Sequence, residues 1–307
     1  MVAHPFVRSK ALFVPIFLWY NEVILSTGGV FLTTLYVKYL DGTLLNAQGR
    51  VSSSTAALLR PLVDRGLALT IATARTPATA LDLVRPLGLH LPAVMMSGAL
   101  VYDLGTGRPL ATRSLSAESR SALLALLDRA GRDALVYCVL DGRLVVFHRA
   151  PTCDYARSFI AQRSGSPHKQ FVQVEHYGQI PLAARCLLTL FCLPCPDRPL
   201  LEALQRLPGT HCLCYADEYG RGVTAEVFPE GCDKGAGVQD LRRLTGARRV
   251  VAFGDNVNDL PLFAAADERY AVANAAAAVK EAADGVIGAN TQDGVACWLA
   301  AREGGSL

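Results

Sequence analysis

The chain has 307 residues, of which 51% are hydrophobic and 19% charged, and its net charge is +3. This composition excludes a disordered or fibrous protein, and so small a scattered charge gives no basis for nucleic-acid binding. No apolar stretch reaches the roughly 18 residues that span a bilayer, and nine cysteines are an odd number that fits reduced thiols. We expect a cytoplasmic protein of about two domains that binds neither nucleic acid nor membrane.

The first 31 residues differ from the remainder. Arg8 and Lys10 precede an apolar run at 11–20, which loosely resembles a signal peptide, but no clear small-x-small cleavage site follows. We therefore interpret residues 1–31 as an N-terminal extension outside the fold. Membrane attachment through residues 11–20 is the remote alternative, because that run is too short to span.

From residue 32 onward, short apolar runs alternate with capped amphipathic segments. The predicted order is strand 32–40, helix 56–65, strand 67–72, helix 77–87 and strand 92–96. This alternation is typical of a parallel sheet with crossover helices.

After residue 107 the pattern changes to hairpins. Asp141-Gly142 between two apolar runs is a strong hairpin signal. The predicted elements here are helix 116–130, strands 134–140 and 143–148, helix 152–162, strand 185–193, helix 199–207, and strands 211–215 and 224–228. We interpret this region as a separate α+β domain inserted into the first.

Alternation returns after Asp233 with helix 235–244, strand 249–253, helix 260–266, strand 270–272, a segment at 279–283 and strand 285–287. The sequence therefore predicts an α/β core domain, 32–107 with 222–307, interrupted by an α+β cap domain at 108–221.

The most informative stretch is 250–263, VVAFGDNVNDLPLF. A buried strand run ends at Gly254, two Asp and two Asn crowd the turn, and Pro261 opens a helix. Ligands of open α/β sheets bind at the carboxyl ends of strands, and carboxylates placed there suit a hard cation such as Mg2+. An Asx-rich helix cap is the plainer alternative.

Four such clusters stand at predicted strand ends or helix starts. They are Asp41-Gly42-Thr43, Thr73-Ala74-Arg75, Lys234-Gly235, and Gly254-Asp255 to Asn258-Asp259. In this order, with the insert and the tails 272–275 (VANA) and 290–295 (NTQDGV), they resemble the four motifs of the haloacid dehalogenase (HAD) superfamily. The chain is most similar to Cof-type sugar phosphatases with a type IIB cap, which implies a Rossmannoid parallel sheet core.

The resemblance implies a role for each motif residue. In the family an Asp nucleophile forms an aspartyl-phosphate, and an Asp two residues later, here Asp41, is the general acid and base. Thr73 matches the hydroxyl that contacts the phosphoryl group, with Gly42, Ala74 and Arg75 lining the same substrate site. The remaining matches are Lys234 for the cation that holds nucleophile and phosphate, Asn258 for a phosphate contact, and Asp41, Asp255 and Asp259 for the Mg2+ site.

The nucleophile position of the D-x-D-G-T motif is occupied by Tyr39. A phenol is a weak Mg2+ ligand and stays protonated near pH 7, and an aspartyl-phosphate cannot form there. We expect weakened Mg2+ binding and impaired hydrolysis of small phosphomonoesters. We expect the protein to be a monomer or a homodimer.

Three explanations of Tyr39 stay open. The protein is a catalytically inactive relative that binds a phosphorylated ligand; or Tyr39 is a variant or sequence error, since Asp and Tyr codons differ by one base; or Asp41 is the nucleophile and Thr43 takes the acid position. The last keeps the same strand face but moves the Gly turn away from the reacting atom.

Two other groups of residues are candidates for a role in binding. Cys192, Cys195, Cys212 and Cys214 have the residue type of a zinc site, but most lie in apolar runs where Cys acts as a small hydrophobe. Polar and aromatic residues of the insert are candidates for choosing the substrate: Tyr155, His176, Tyr177 and Tyr219.

Overall fold

The structure, a computed structural model, describes residues 33–216 and 222–304, so the extension predicted at 1–31 and Tyr219 lie outside the described residues. The helices are α1 (Ser53–Asp64), α2 (Pro77–Val84), α3 (Ala117–Ala130), α4 (Asp154–Arg163), α5 (Arg198–Gln205), α6 (Lys234–Thr245), α7 (Leu260–Ala264), α8 (Ala277–Glu281) and α9 (Gly294–Glu303). The strands are β1 (Thr34–Lys38), β2 (Leu69–Ile71), β3 (Pro92–Met95), β4 (Leu100–Asp103), β5 (Arg108–Thr112), β6 (Ala134–Leu140), β7 (Arg143–His148), β8 (Gln170–Gln173), β9 (Arg185–Leu193), β10 (Thr210–Ala216), β11 (Val223–Pro229), β12 (Arg249–Gly254), β13 (Glu268–Val272) and β14 (Gly285–Ile287).

The first sheet is parallel throughout and has the order β14-β13-β12-β1-β2. Its central strands β1 and β12 contain the apolar runs 35–37 and 250–253, as expected for a sheet covered on both faces. A parallel bridge between Ala72 and Val94 links β2 to the antiparallel sheet β3-β4-β5. Because β2 and β12 lie on opposite sides of β1, the crevice at the carboxyl ends of β1 and β12 is a topological switch point, where ligands of such sheets bind.

The second sheet has the order β10-β11-β9-β6-β7-β8 and is antiparallel except for the pair β7 and β8. Along β6, side chains alternate between its faces: Leu135 and Tyr137 pack into the cluster shared with the first sheet, whereas Val136 and Cys138 pack with α3 and α5. The predicted hairpin is confirmed, with Asp141-Gly142 as its turn. We call residues 115–229 the insert and the remainder of the described chain the core.

The sheets divide the chain differently from the boundaries expected at 108 and 222. β5 pairs with β4 of the three-stranded sheet, and β11 pairs with β9 and β10 of the six-stranded sheet. Sequence periodicity identifies a strand but not the sheet it joins, because the partner strand is distant along the chain. We propose that the connections between the two domains are residues 113–114 and 230–233.

Candidate functional site

The four motif segments meet at one edge of the five-stranded sheet. Asp41 lies just after β1, Thr73 follows β2, Asp255 follows β12, and Lys234 opens α6. Hydrogen bonds or ring contacts join the segment after β1 to each of the others. The sequence had placed these residues near one another, and the structure brings them together.

Lys234 is held by the loop that follows β12. Its side chain is 2% exposed, and its Nζ donates to Asp259 Oδ1 at 2.6 Å and to Asn258 Oδ1 at 3.0 Å. The other Asp259 oxygen accepts from the backbone amides of Asp255 and Asn256, each at 3.1 Å. Burial lowers the pKa of Lys234, and the adjacent Asp259 carboxylate opposes that shift. Both Asp259 oxygens are therefore engaged in orienting Lys234 and the loop.

Asp255 lies against the turn after β1. Thr43 Oγ1 donates to Asp255 Oδ1 at 2.6 Å, and a Cβ on Gly42 would lie 2.2 Å from Asp255 Oδ2. Gly42 has φ +73°, so it supplies both the left-handed turn and the space for this carboxylate. Burial, with the nearby Asp259 and Asp41 charges, raises the pKa of Asp255 to about 6.

Asp41 is paired with a cation of the second motif. Arg75 binds it in a fork, with Nη2 to Oδ1 at 2.6 Å and Nε to Oδ2 at 2.9 Å. Thr73 is fully buried, and its Oγ1 accepts from the Arg75 backbone amide at 3.1 Å. Thr73 thus shapes the loop that presents Ala74 and Arg75 to the cleft.

Tyr39 covers Lys234 with its ring. The Lys234 Nζ lies 3.7 Å from the ring centroid, a cation–π contact. Tyr39 is 8% exposed, and burial followed by the charges of Asp41, Asp259 and Asp255 raises the pKa of its phenol above the ordinary value. The hydroxyl therefore stays protonated at neutral pH.

The two tail motifs close the loop after β1. Asn274 Nδ2 donates to the Gly42 carbonyl at 2.7 Å, and Asn290 Nδ2 donates to the Leu45 carbonyl at 2.8 Å. The Asn290 amide in turn donates to Asn274 Oδ1 at 2.9 Å. These contacts fix the backbone that carries Asp41 and Thr43.

A cleft of about 400 Å³ separates the core from the insert. Its core side is formed by Tyr39, Asp41, Ala74, Arg75, Thr76 and Thr79. Its insert side, which we call the roof, is formed by Tyr137, Tyr155, Phe159, Arg163, Lys169, Leu188, Leu190, Tyr215, Thr224 and Glu226.

Only part of the roof was expected. Tyr155 lies in it, but Tyr177 is fully buried and donates to the Ala134 carbonyl at 2.8 Å, and His176 precedes a short turn elsewhere in the insert. The sequence analysis did not identify Arg163, Lys169 and Glu226 as cleft residues. Sequence patterns do not indicate which face of a strand or loop is directed toward another domain.

Across residues 33–216 and 222–304, no three His, Cys, Asp or Glu side chains are grouped to hold one metal ion. Of the residues that the resemblance assigns to the Mg2+ site, the Asp41 carboxylate is engaged by Arg75, and the Asp259 carboxylate is engaged by Lys234 and the loop amides. Among the described residues, the cysteines that have the residue type of a zinc site form no disulfide.

Within the described residues, no helix has both the length and the hydropathy to cross a bilayer.

Sequence comparison finds a family and curated relatives. The model of the family described as haloacid dehalogenase-like hydrolase matches residues 39–299. The chain is 28% identical over 264 residues to the pyridoxal phosphate phosphatase YbhA of Escherichia coli (strain K12), covering 85% of this chain and 95% of that protein. It is 25% identical over 281 residues to the 5-amino-6-(5-phospho-D-ribitylamino)uracil phosphatase YwtE of Bacillus subtilis (strain 168), covering 85% and 94%.

Structure comparison finds the same architecture. TM0651 from Thermotoga maritima superposes with a TM-score of 0.71 at 22% identity, over 87% of this chain and 96% of that one. The HAD subclass IIB sugar phosphatase BT4131 superposes with a TM-score of 0.65 at 21% identity, over 88% and 99%. The predicted resemblance and the predicted fold class, a parallel α/β core with an inserted α+β unit, are confirmed.

Proposed function

The chain belongs to the haloacid dehalogenase-like hydrolase family, and we propose that it binds a small phosphomonoester in the cleft, as a phosphatase whose turnover Tyr39 severely lowers. The relatives named above are phosphatases of small phosphorylated compounds. The proposal depends on one observation: Asp41, Lys234 and Asp255 lie together around the turn that follows β1, where Tyr39 contacts Lys234. Such a cluster of cations and carboxylates suits phosphoryl transfer.

We assign the residues as follows. Asp41, which reaches the cleft and is oriented by Arg75, is the group placed to give a proton to the leaving oxygen. By resemblance, Lys234 and Asn258 are the phosphate contacts, and Asp259 positions Lys234 by accepting its hydrogen bond. Arg75 and the Ala74 loop line the side of the cleft where the ligand enters.

Magnesium fits the residues present at one place. Asp255 Oδ2 receives no hydrogen bond from the described residues, and burial among carboxylates raises the pKa of Asp255 to about 6. A cation there relieves that cost, so we assign Asp255 and the Asp41 carbonyl to hold Mg2+, with water and ligand phosphate completing the shell. When bound, the ion supplies neutralisation of phosphate charge.

Tyr39 occupies the position where a hydrolase of this family has its carboxylate nucleophile. Its phenol is protonated, and its ring stands between Lys234 and the cleft. Position 39 therefore supplies no carboxylate to attack phosphorus, and a bound Mg2+ would have one carboxylate ligand fewer.

The test is phosphate release from sugar phosphates and pyridoxal phosphate with Mg2+. We expect Tyr39→Asp to raise kcat at least about 100-fold over the natural chain, because it restores a carboxylate nucleophile. Tyr39→Phe is the matched control, which keeps the ring and stays at the natural level. Equal release by the natural chain and Tyr39→Asp would contradict our interpretation of Tyr39.

Ligand binding without turnover is the second candidate, favoured by the Lys234 contact with the Tyr39 ring. It predicts that phosphorylated compounds raise the Tm of the natural chain while no phosphate is released. The cytoplasmic location and the monomer or homodimer state remain predictions.

A further inference from the structure

The roof contains a buried lysine that has no counter-charge among the residues the structure describes. Lys169 precedes β8 and is 5% exposed, and it lines the cleft. Within the described residues no hydrogen bond or ion pair reaches its Nζ. The nearest groups are two ring faces, with centroids at 5.2 Å for Phe171 and 5.9 Å for Tyr137.

A second cation, Arg163, lies beside it at the end of α4 and stacks over Phe159 at 3.7 Å. Among the described residues, its Nη1 donates to neutral oxygens, those of Phe159 and Gln162, and to no carboxylate. Burial, and then repulsion from the Arg163 charge, lowers the pKa of Lys169 to about 8. Glu226 is the carboxyl that the roof contributes, and in the described chain it forms no ion pair with either.

This arrangement is costly unless an anion joins it. Aromatic faces offset part of the desolvation of a cation but do not neutralise it, and buried charges are normally paired. On the core side of the cleft the cations already have carboxylates: Arg75 pairs with Asp41 and Lys234 with Asp259. The uncompensated positive charge is therefore located in the roof, away from the proposed phosphate position.

We propose that Lys169 and Arg163 bind a second anionic group, a carboxylate or a second phosphate, on the leaving group of the phosphomonoester. This inference rests on the proposed function, since the first phosphate must occupy the core side of the cleft. The aromatic residues between the phosphate position and the roof cations contact the body of the ligand. The distance from Lys169 and Arg163 to the core side of the cleft selects the length of the ligand. The preferred ligand class is thus a small phosphate ester with two anionic ends.

The test is calorimetric binding to the natural chain with matched ligand pairs. Glycerol 3-phosphate is compared with 3-phosphoglycerate, and glucose 6-phosphate with glucose 1,6-bisphosphate. We expect the ligand with the second anion to bind about 10-fold tighter in at least one pair, a typical gain for a charge-assisted contact. Tighter binding of 3-phosphoglycerate identifies the second anionic group as a carboxylate. Tighter binding of glucose 1,6-bisphosphate identifies it as a phosphate.

Variants locate the effect. Lys169→Met removes the preference, Lys169→Arg retains it, and Arg129→Met, which removes an exposed cation of α3 on the other side of the insert, leaves it unchanged. Equal affinity within both pairs, or a preference that survives in Lys169→Met, overturns the second-anion site while binding of the singly charged ligands preserves the proposed function. If none of the four compounds binds, both proposals fail.

Discussion

At the residue scale, two adjacent side chains at the end of β1, Lys38 and Tyr39, have opposite orientations and different electrostatic surroundings. Tyr39 faces the cleft and contacts Lys234. Lys38 precedes it, and strand alternation directs its side chain to the opposite face of the sheet, the face of Tyr36. Lys38 is 0% exposed, and its Nζ has no hydrogen-bond partner among the described residues. A buried, unpaired ammonium is expected to destabilise the fold.

Lys38 makes stability depend on pH in a defined direction. Burial lowers its pKa from 10.5 to about 7, so between these values the unfolded chain binds a proton that the folded chain does not. The free energy of unfolding therefore rises with pH across this window, and the penalty is largest at and below pH 7. We expect Lys38→Met to stabilise the protein at pH 7 by roughly 3 kcal/mol, with a smaller gain at pH 9.5.

Urea denaturation of the natural chain and Lys38→Met at both pH values measures this difference. Lys280→Met on α8 is the control, and its effect should be small and independent of pH. A gain from Lys38→Met that is equal at pH 7 and pH 9.5 would show that lost packing or propensity, not the ammonium charge, is responsible.

At the scale of elements, the site depends on close contact between loops. Gly98, between β3 and β4, has φ +98°, and a Cβ there would lie 1.9 Å from the Asp233 carbonyl oxygen. Asp233 caps α6 by accepting from the Ala236 amide at 2.8 Å, and Lys234 is the first residue of that helix. The β3–β4 loop thus sets the position of Lys234.

We expect Gly98→Ala to lower the free energy of unfolding by about 3 kcal/mol, since strain at positive φ adds to a clash with backbone. Gly142→Ala is the matched control: Gly142 has φ +71° with no atom within 4 Å of an added Cβ, so about 1–2 kcal/mol from the left-handed conformation alone is expected. Chemical denaturation compares the two. Equal losses would mean that the loop and α6 move apart at little cost.

At the scale of the whole molecule, the insert is tied to the core beside its connections. Arg113 donates through Nη2 to Asp240 Oδ2 at 2.6 Å and to the Ala236 carbonyl at 3.0 Å. Both acceptors lie on α6, which follows the second connection, residues 230–233. This contact therefore joins the two connections and restrains the insert over the cleft.

We expect Arg113→Gln to speed amide hydrogen exchange several-fold in residues 113–116 and 230–233. The free energy of unfolding should change by less than about 1 kcal/mol, because the pair is partly exposed. Arg243→Gln is the control, since Arg243 pairs with the same Asp240 from within α6 and does not bridge the connections. Exchange that rises equally in both variants would assign the effect to Asp240 alone.

The sequence by itself determined the alternating α/β core, the β6–β7 hairpin and the loops that carry Asp41, Thr73, Lys234 and Asp255. These features are encoded locally: strand and helix periods, caps and turn residues lie within a few positions of one another. The substitution at Tyr39 was equally visible, because it interrupts a short motif.

Only the tertiary structure decided which sheet β5 and β11 join, that Tyr39 covers Lys234, and that Lys169 and Arg163 face the cleft. The physical reason is that these outcomes depend on contacts between distant segments. Period-2 alternation predicts that a strand has two different faces. The domain that packs against each face determines which face lines a cavity and which charges there remain unpaired.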